Sequence, residues 1–334
     1  MKKAILMVLL AALLATPLAG CDKADNGDEP TKTTTESKEN GDNIPDYNAA
    51  DANPASDFEY KVGEDGGITI TKYIGTDTDV VIPEKIDGKN VTVIYMHAFR
   101  RSIIVNVIMP DTVTTIDEAA FELCESLTTV RLSTRLSHID NSAFKNCTSL
   151  STITLPPTLN SIYDWAFMYC TSLKHINIPK SISLFGAEVF AGSGLETVDF
   201  EEGLKCIGES AFINSKLKTI SIPSSVKCLT SMVFAGNKDL KSVTLHEGLE
   251  EIAHSAFAGS QLTEIVIPST VKILEELAFH QCSSLQSVKF NGNAPEGFTG
   301  EWVGVDDVNY TIYYHEGATG FTSPEWNGYK TEIW

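Results

Sequence analysis

A phenylalanine preceded by a small apolar residue returns at Phe99, Phe121, Phe144, Phe167, Phe190, Phe212, Phe234, Phe257 and Phe279, at intervals of 22 or 23 residues. Five or six residues later comes Ile104, Leu127, Leu150, Leu173, Leu195, Leu217, Leu240, Leu262 or Leu285, opening a segment L-x-x-h-x-h in which h is apolar. Leu150-x-x-Ile153-x-Leu155 and Leu217-x-x-Ile220-x-Ile222 are two cases. Alternation with a period of two predicts a short strand with one buried face. The proline that often follows, as at Pro110, Pro156, Pro179, Pro223 and Pro268, suits a strand end, where the ladder no longer needs an N–H. A second apolar pair, such as Val113 and Ile116 or Leu249 and Ile252, brings the chain back, and the Ala-Phe turn reverses it.

A fixed period of this length marks a solenoid. One coil alone cannot bury enough apolar surface to offset the ordering of its backbone, whereas stacked coils share their faces and hydrogen bonds with two neighbours. Nine coils at about 4.8 Å give a stack of roughly 43 Å. Phe212, in mid-stack, is expected to cost about 3–5 kcal/mol when cut to Ala, through an unfilled cavity. Length agrees with this architecture, because 334 residues exceed what a single compact core holds.

The opening of the chain is patterned differently. Lys2 and Lys3 precede an apolar run from Ala4 to Ala15, shorter than the roughly 20 residues that span a bilayer. Leu18-Ala19-Gly20-Cys21 follows and resembles the lipobox of bacterial lipoproteins. That resemblance implies a diacylglyceryl group on the Cys21 thiol and cleavage that leaves Cys21 first; an ordinary secretory signal with a chance cysteine is the plainer reading. Two acyl chains anchor a protein stably, where one holds it marginally. From Asp22 to Ser56 acids outnumber lysines and the only aromatic is Tyr47, which predicts a disordered tether.

Charge narrows the function. The formal net charge is −19, the wrong sign for a fold-wide grip on nucleic acid, so no nucleic-acid partner is expected. Hydrophobic residues at 43% and charged residues at 21% exclude both wholesale disorder and a membrane protein. No G-x-S-x-G, H-E-x-x-H, C-x-x-C or phosphate-binding glycine loop occurs, and the seven histidines fall at differing phases of the coil. No catalytic residue, cofactor or metal ligand is assigned, although the Asp306-Asp307 pair is a weak calcium signal. Cys124, Cys147, Cys170 and Cys282 share one phase, three residues after Phe, and read as a ladder of inert buried thiols. Cys206 and Cys228 share another phase in adjacent coils, within the lower part of the disulfide Cα range; they are expected to stay unbridged.

The combined pattern L-x-x-h-x-h-P-x-x-h-x-x-I-x-x-x-A-F-x-x-C resembles the BspA-like leucine-rich repeats of bacterial surface proteins, over about residues 57–334. Tyr60, Thr69-Ile70-Thr71, Val81-Ile82-Pro83 and Ile86-Asp87-Gly88 resemble that family's N-terminal module; Tyr313 to Ala318 and Trp326-Asn327-Gly328-Tyr329 resemble its C-terminal one. The expected organisation is a signal peptide over 1–20, the lipidated Cys21 and tether over 21–56, a β-rich cap over 57–93, leucine-rich repeats over 94–290 and a second cap over 291–334. The fold class is thus a leucine-rich repeat solenoid of about nine coils with one short parallel strand per coil. Capped ends favour a monomer.

The resemblance implies an adhesin-like surface protein, since some members bind fibronectin or fibrinogen and support attachment to host cells or other bacteria. Partners would be a host extracellular-matrix protein, a glycan or another envelope protein, with the membrane touched only by the lipid anchor. In leucine-rich repeats the residues flanking the middle h face outward. They form a candidate binding strip of Thr129, Arg131, Thr152, Thr154, His175, Asn177, Thr197, Asp199, Thr219, Ser221, Ser242 and Thr244. Hydroxyls suit hydrogen bonding to a protein or glycan, but Thr is also simply a good solvent-facing strand residue. Tyr163, Trp165, Met168 and Tyr169 gather around one turn; they read either as a binding patch or as packing over neighbouring turns. An envelope-assembly component and, more remotely, an envelope enzyme remain as alternatives.

Overall fold

The computed structural model describes residues 45–296 and 310–334, which lie within one compact unit, Asp42–Trp334. The expected signal peptide, Cys21 and the Asp306-Asp307 pair lie outside the described residues. Among the described residues there is no α-helix, and the chain winds into about eleven stacked turns. The L-x-x-h-x-h segments form a front ladder of parallel rungs, among them Asn106–Ile108, Thr129–Arg131, His175–Ile178, Thr197–Phe200, Thr219–Ser221, Ser242–Thr244 and Glu264–Ile267. Register keeps the phase of the repeat, with Val107 beside Val130 and Ile265 beside Val288, so these middle residues all point into the core.

One strand per coil was expected, and two are found. The second apolar pair forms a ladder of its own, with two-residue rungs at Thr115–Ile116, His138–Ile139, Ser161–Ile162, Leu184–Phe185, Cys228–Leu229, Glu251–Ile252 and Ile273–Leu274. Two residues are too few to show a period, yet each rung hydrogen-bonds along the stack because its inward Ile, Leu or Phe is held in the core.

A third seam runs through the Ala-Phe turn. The N–H groups of Ala119, Phe121 and Leu123 donate to the carbonyls of Asn141, Ala143 and Lys145 in the next coil, at 2.8 Å each. The N–H groups between them close local turns, Glu122 to Ala119 and Cys124 to Phe121. Sending alternate N–H groups along the axis requires left-handed backbone two residues before and two after each Phe. Such φ values occur at Ser142 and Asn146 (56° and 59°), and at Trp165 and Tyr169 (both 60°). Inside this seam the rings of Tyr73 and all nine repeat phenylalanines form one stacked column, with adjacent centroids 4.8–5.9 Å apart, close to the strand spacing itself.

Both ends are covered. At the N-terminal end Phe58–Val62 lies antiparallel on Ile68–Tyr73 and closes the second ladder. The front ladder is closed by Asn53: its N–H donates to the Val81 carbonyl at 2.9 Å, while the Val81 N–H donates to its side-chain Oδ1 at 2.9 Å. Asn53 Nδ2 also reaches Asp77 at 3.0 Å and Asp57 at 3.2 Å. The Glu84 N–H donates to the Tyr47 hydroxyl at 2.9 Å. Residues 45–56 therefore belong to the cap, and the boundary drawn at 56 moves back to at least 45. An amide side chain doing the work of a strand edge explains how so polar a segment is held. At the far end Thr311–Tyr314 extends the front ladder, followed by the hairpin of Glu325–Trp326 and Tyr329–Ile333.

Candidate functional site

The strip residues stand in two outward columns on the front ladder, and their surroundings differ along the stack. In the earlier coils the polar groups are mostly used by the protein. Arg131 donates to the Met109 carbonyl at 2.7 Å and pairs with Asp111 at 3.2 Å. Arg131 and Thr154 also line a recess of about 310 Å³ beside Leu155, Pro156 and Asp46 of the N-terminal segment. His175 Nδ1 lies 2.9 Å from the Thr197 hydroxyl and Nε2 lies 3.7 Å from Asp199, and Asn177 donates to Glu201 at 3.3 Å. The Thr152 hydroxyl lies 3.4 Å from that of Ser151, whereas among the described residues the hydroxyls of Thr129 and Thr154 have no hydrogen-bond partner in the protein.

In the later coils the front ladder opens. Thr197–Phe200 pairs only with His175–Ile178, and Thr219–Ser221 only with Ser242–Thr244, so no ladder bonds join Thr197–Phe200 to Thr219–Ser221. A shallow groove of about 490 Å³ lies over this seam. Its lining brings together Thr197, Asp199, Thr219, Ser221, Ser242 and Thr244, the whole later half of the strip. Among the described residues the side-chain hydroxyls of Thr219, Ser242 and Thr244 have no hydrogen-bond partner in the protein. The Ser221 hydroxyl lies 3.3 Å from His246 Nε2. Of the two carboxylates present, Glu202 is occupied by the Ser224 N–H and hydroxyl at 3.1 and 3.2 Å, which hold it below the ordinary glutamate range. Asp199 keeps 73% of its side chain in solvent.

The aromatic cluster sits on the turn seam, apart from the strip. Tyr163 and Met168 are half-buried, whereas Trp165 and Tyr169 are 39% and 43% exposed. The Lys145 ammonium lies 5.6 Å from the Trp165 ring centroid. Tyr169 covers Gly192 of the next coil so closely that a Cβ there would lie 2.5 Å from the ring. These side chains therefore pack over neighbouring turns and still present an outer face.

Two arrangements escape the sequence reading. The cysteine column is more than filler: the thiols of Cys124, Cys147 and Cys170 donate to the carbonyls of Phe99, Phe121 and Phe144 in the preceding coil, at 2.9–3.2 Å. Burial pushes the Cys124 thiol up to about 12 and raises those of Cys147 and Cys170 as well, so all three stay protonated donors. Ser215 and Asn237 make the same bond to Phe190 and Phe212, so a change from Cys to Ser or Asn at constant phase was the available signal. Second, acidic turns tie coils together: Glu247 accepts the Ser269 N–H at 3.0 Å and its hydroxyl at 2.8 Å, and Asp111 accepts the Thr134 N–H at 3.0 Å. No disulfide joins the described cysteines; Cys206 and Cys228 are half-buried, and burial together with Glu251 pushes the Cys228 thiol up to about 12.

Comparison with known proteins agrees with this architecture. The chain matches the BspA type leucine rich repeat region in six copies, over residues 92–217 and 205–296. Among solved structures, a leucine-rich repeat protein of Treponema pallidum is 30% identical, with a TM-score of 0.50 over 62% of this chain and 88% of that one. A leucine-rich repeat protein of Bacteroides ovatus shares the fold at a TM-score of 0.68 and 23% identity, over 83% of this chain and 75% of that one. No curated protein matches the chain. Repeat, ladders and ring column together place this chain in the BspA-type leucine-rich repeat family.

Proposed function

We propose that the protein is a lipid-anchored binding protein of the bacterial cell surface, adhesin-like, which presents the front ladder of its solenoid to a protein or glycan partner. The observation that carries this reading is the groove over Thr197 to Thr244, where the later strip residues converge and three hydroxyls are left for a ligand. Concave sites with a few convergent polar groups are where ligands are held. The lipobox-like Leu18-Ala19-Gly20-Cys21 supports export and anchoring through Cys21, with the polar stretch that follows as spacer. The solenoid is an interaction scaffold, and no catalytic role is assigned to it.

Protease shaving of intact cells, followed by antibody detection of the repeat domain, tests the placement. Loss of the protein with a cytoplasmic control untouched is expected. Protection on intact cells, relieved when the envelope is broken, would favour a component of the bacterium's own envelope. Binding of the full chain to host matrix proteins and glycans, compared with a variant altered at Ser221 and Thr244, tests the surface.

A further inference from the structure

We infer that the groove over the Thr197–Phe200 and Thr219–Ser221 seam is a subsite for an uncharged sugar, whose neighbouring hydroxyls bond to the Asp199 carboxylate and to the hydroxyls of Thr219, Ser242 and Thr244. This rests on the reading of the strip as a binding surface and names the ligand class of that surface.

Four observations carry it. First, the lining contains no Lys or Arg, so a phosphate, sulfate or sialic acid would meet carboxylates and no fixed cation. Second, each unpartnered Ser or Thr hydroxyl both donates and accepts, which is also the property of every sugar hydroxyl. Third, the two carboxylates divide the work. Glu202 is consumed by Ser224, whereas Asp199 is open to solvent, and one carboxylate can accept from two adjacent hydroxyls of a ring. Fourth, the lining is partly apolar. Phe200 is half-buried, set edge-on against Phe212 with centroids 5.8 Å apart, and Pro223 also belongs to the lining. A lining that mixes apolar side chains with hydrogen-bonding groups matches a pyranose, which has a C–H face and a rim of hydroxyls.

A protein partner fits less well. Interfaces are dominated by buried aromatic and Arg anchors. The groove offers hydroxyls where such an anchor would need a deep apolar pocket. Its volume of about 490 Å³ falls in the ordinary range of roughly 300–1,000 Å³ for small-ligand sites.

The test is a binding screen of the full chain against neutral gluco-, galacto- and manno-oligosaccharides, with sialylated and sulfated glycans and a lysine-rich peptide alongside, followed by calorimetry. The expected result is binding to a neutral oligosaccharide, weakened at least tenfold by Asp199→Asn and severalfold by Thr244→Val, and unchanged by Lys238→Ala on the turn side. Circular dichroism of each variant separates lost binding from lost folding. Preference for the acidic glycans or the cationic peptide would overturn the proposal. So would neutral-sugar binding indifferent to both groove variants. Binding to a host or envelope protein with no neutral sugar bound would sink the sugar assignment and leave the binding reading standing; binding to none of these ligands would sink both.

Discussion

The coils up to Phe167 and those from Phe190 onward follow one repeat and stack differently. In the first group ring centroids lie 4.8–5.2 Å apart, the front ladder joins four successive strands from Asp79 to Ile153, and the second ladder runs unbroken to Phe185. In the second group the rings lie 5.3–5.9 Å apart, and the front ladder pairs its strands two at a time as far as Thr244 before it becomes continuous again from Glu264. The second ladder there resumes only at Cys228. Across that interruption Gly208 approaches the Gly186 carbonyl so closely that a Cβ would sit 1.9 Å from its oxygen. The Thr230 hydroxyl donates to the Ile207 and Gly208 carbonyls at 3.0 Å each. The comparison separates two states of one sequence pattern: continuous ladders hold the stack, and where the front ladder parts the later strip residues converge on a groove.

The largest test of this contrast lies in the ring column. Phe144→Ala should lower unfolding free energy by about 4–5 kcal/mol and Phe257→Ala by nearer 3, read from urea denaturation of each variant. Equal losses would remove the distinction between tight and loose stacking. Next comes the polar spine. Asn237 is fully buried, donates to Phe212 and Phe234 at 2.8 Å and accepts from the Leu217 N–H, so Asn237→Ala should cost about 2–3 kcal/mol. Cys147→Ala, which removes one thiol donor from the tight half, should cost about 1 kcal/mol by the same measurement.

Smaller effects sharpen the picture at the turn. Ser142 holds a φ of 56° without a side-chain hydrogen bond, so Ser142→Gly should stabilise by about 0.5–1 kcal/mol. Gly236 occupies the other left-handed position in the loose half, with φ 71° and Asn214 Oδ1 only 2.1 Å from where a Cβ would lie. Gly236→Ala should therefore destabilise, and a scan of melting temperature should show opposite signs for the two changes. Last is pH. The Ser224 bonds hold Glu202 below its ordinary value. The stability they contribute is fully present above the unfolded glutamate pKa of about 4.3 and is lost as pH falls through the lower folded value. Glu202→Gln should flatten the acid limb of the unfolding midpoint, and an unchanged limb would dismiss the coil-to-coil role of that acid.

How much of this the sequence shows depends on how many residues carry each signal. The front ladder is legible because h-x-h repeats at fixed phase in every coil, as at Ile153 and Leu155 or Ile220 and Ile222. The second ladder is not, because a rung such as Ser161–Ile162 has no room for alternation. The left-handed turn is hidden for another reason. Trp165, Tyr169 and Ser142 have no intrinsic liking for positive φ, and the inter-coil hydrogen bonds impose it. Asn53 lies in a stretch poor in apolar residues, and the stretch is held by polar groups, the Asn53 amide and backbone N–H on Val81 and the Tyr47 hydroxyl on Glu84. The strip residues were readable singly, whereas their convergence into a groove arises where two strands part, which no spacing records.

The three seams also set how the molecule yields to force. Each coil is bonded to its neighbours along the stack axis, so tension between the two chain ends loads the seams at an edge one coil at a time. The solenoid should therefore peel, and each step should free 22 or 23 residues, roughly 75–80 Å of extended chain. Ladders joined from Asp79 to Ile153 and from Glu264 to Ile333 make the two flanks the harder parts to strip, and the interrupted ladders between Thr197 and Thr244 make the coils under the groove the easiest to part. Stretched between its two ends, such a protein would lengthen in discrete increments of about one coil each.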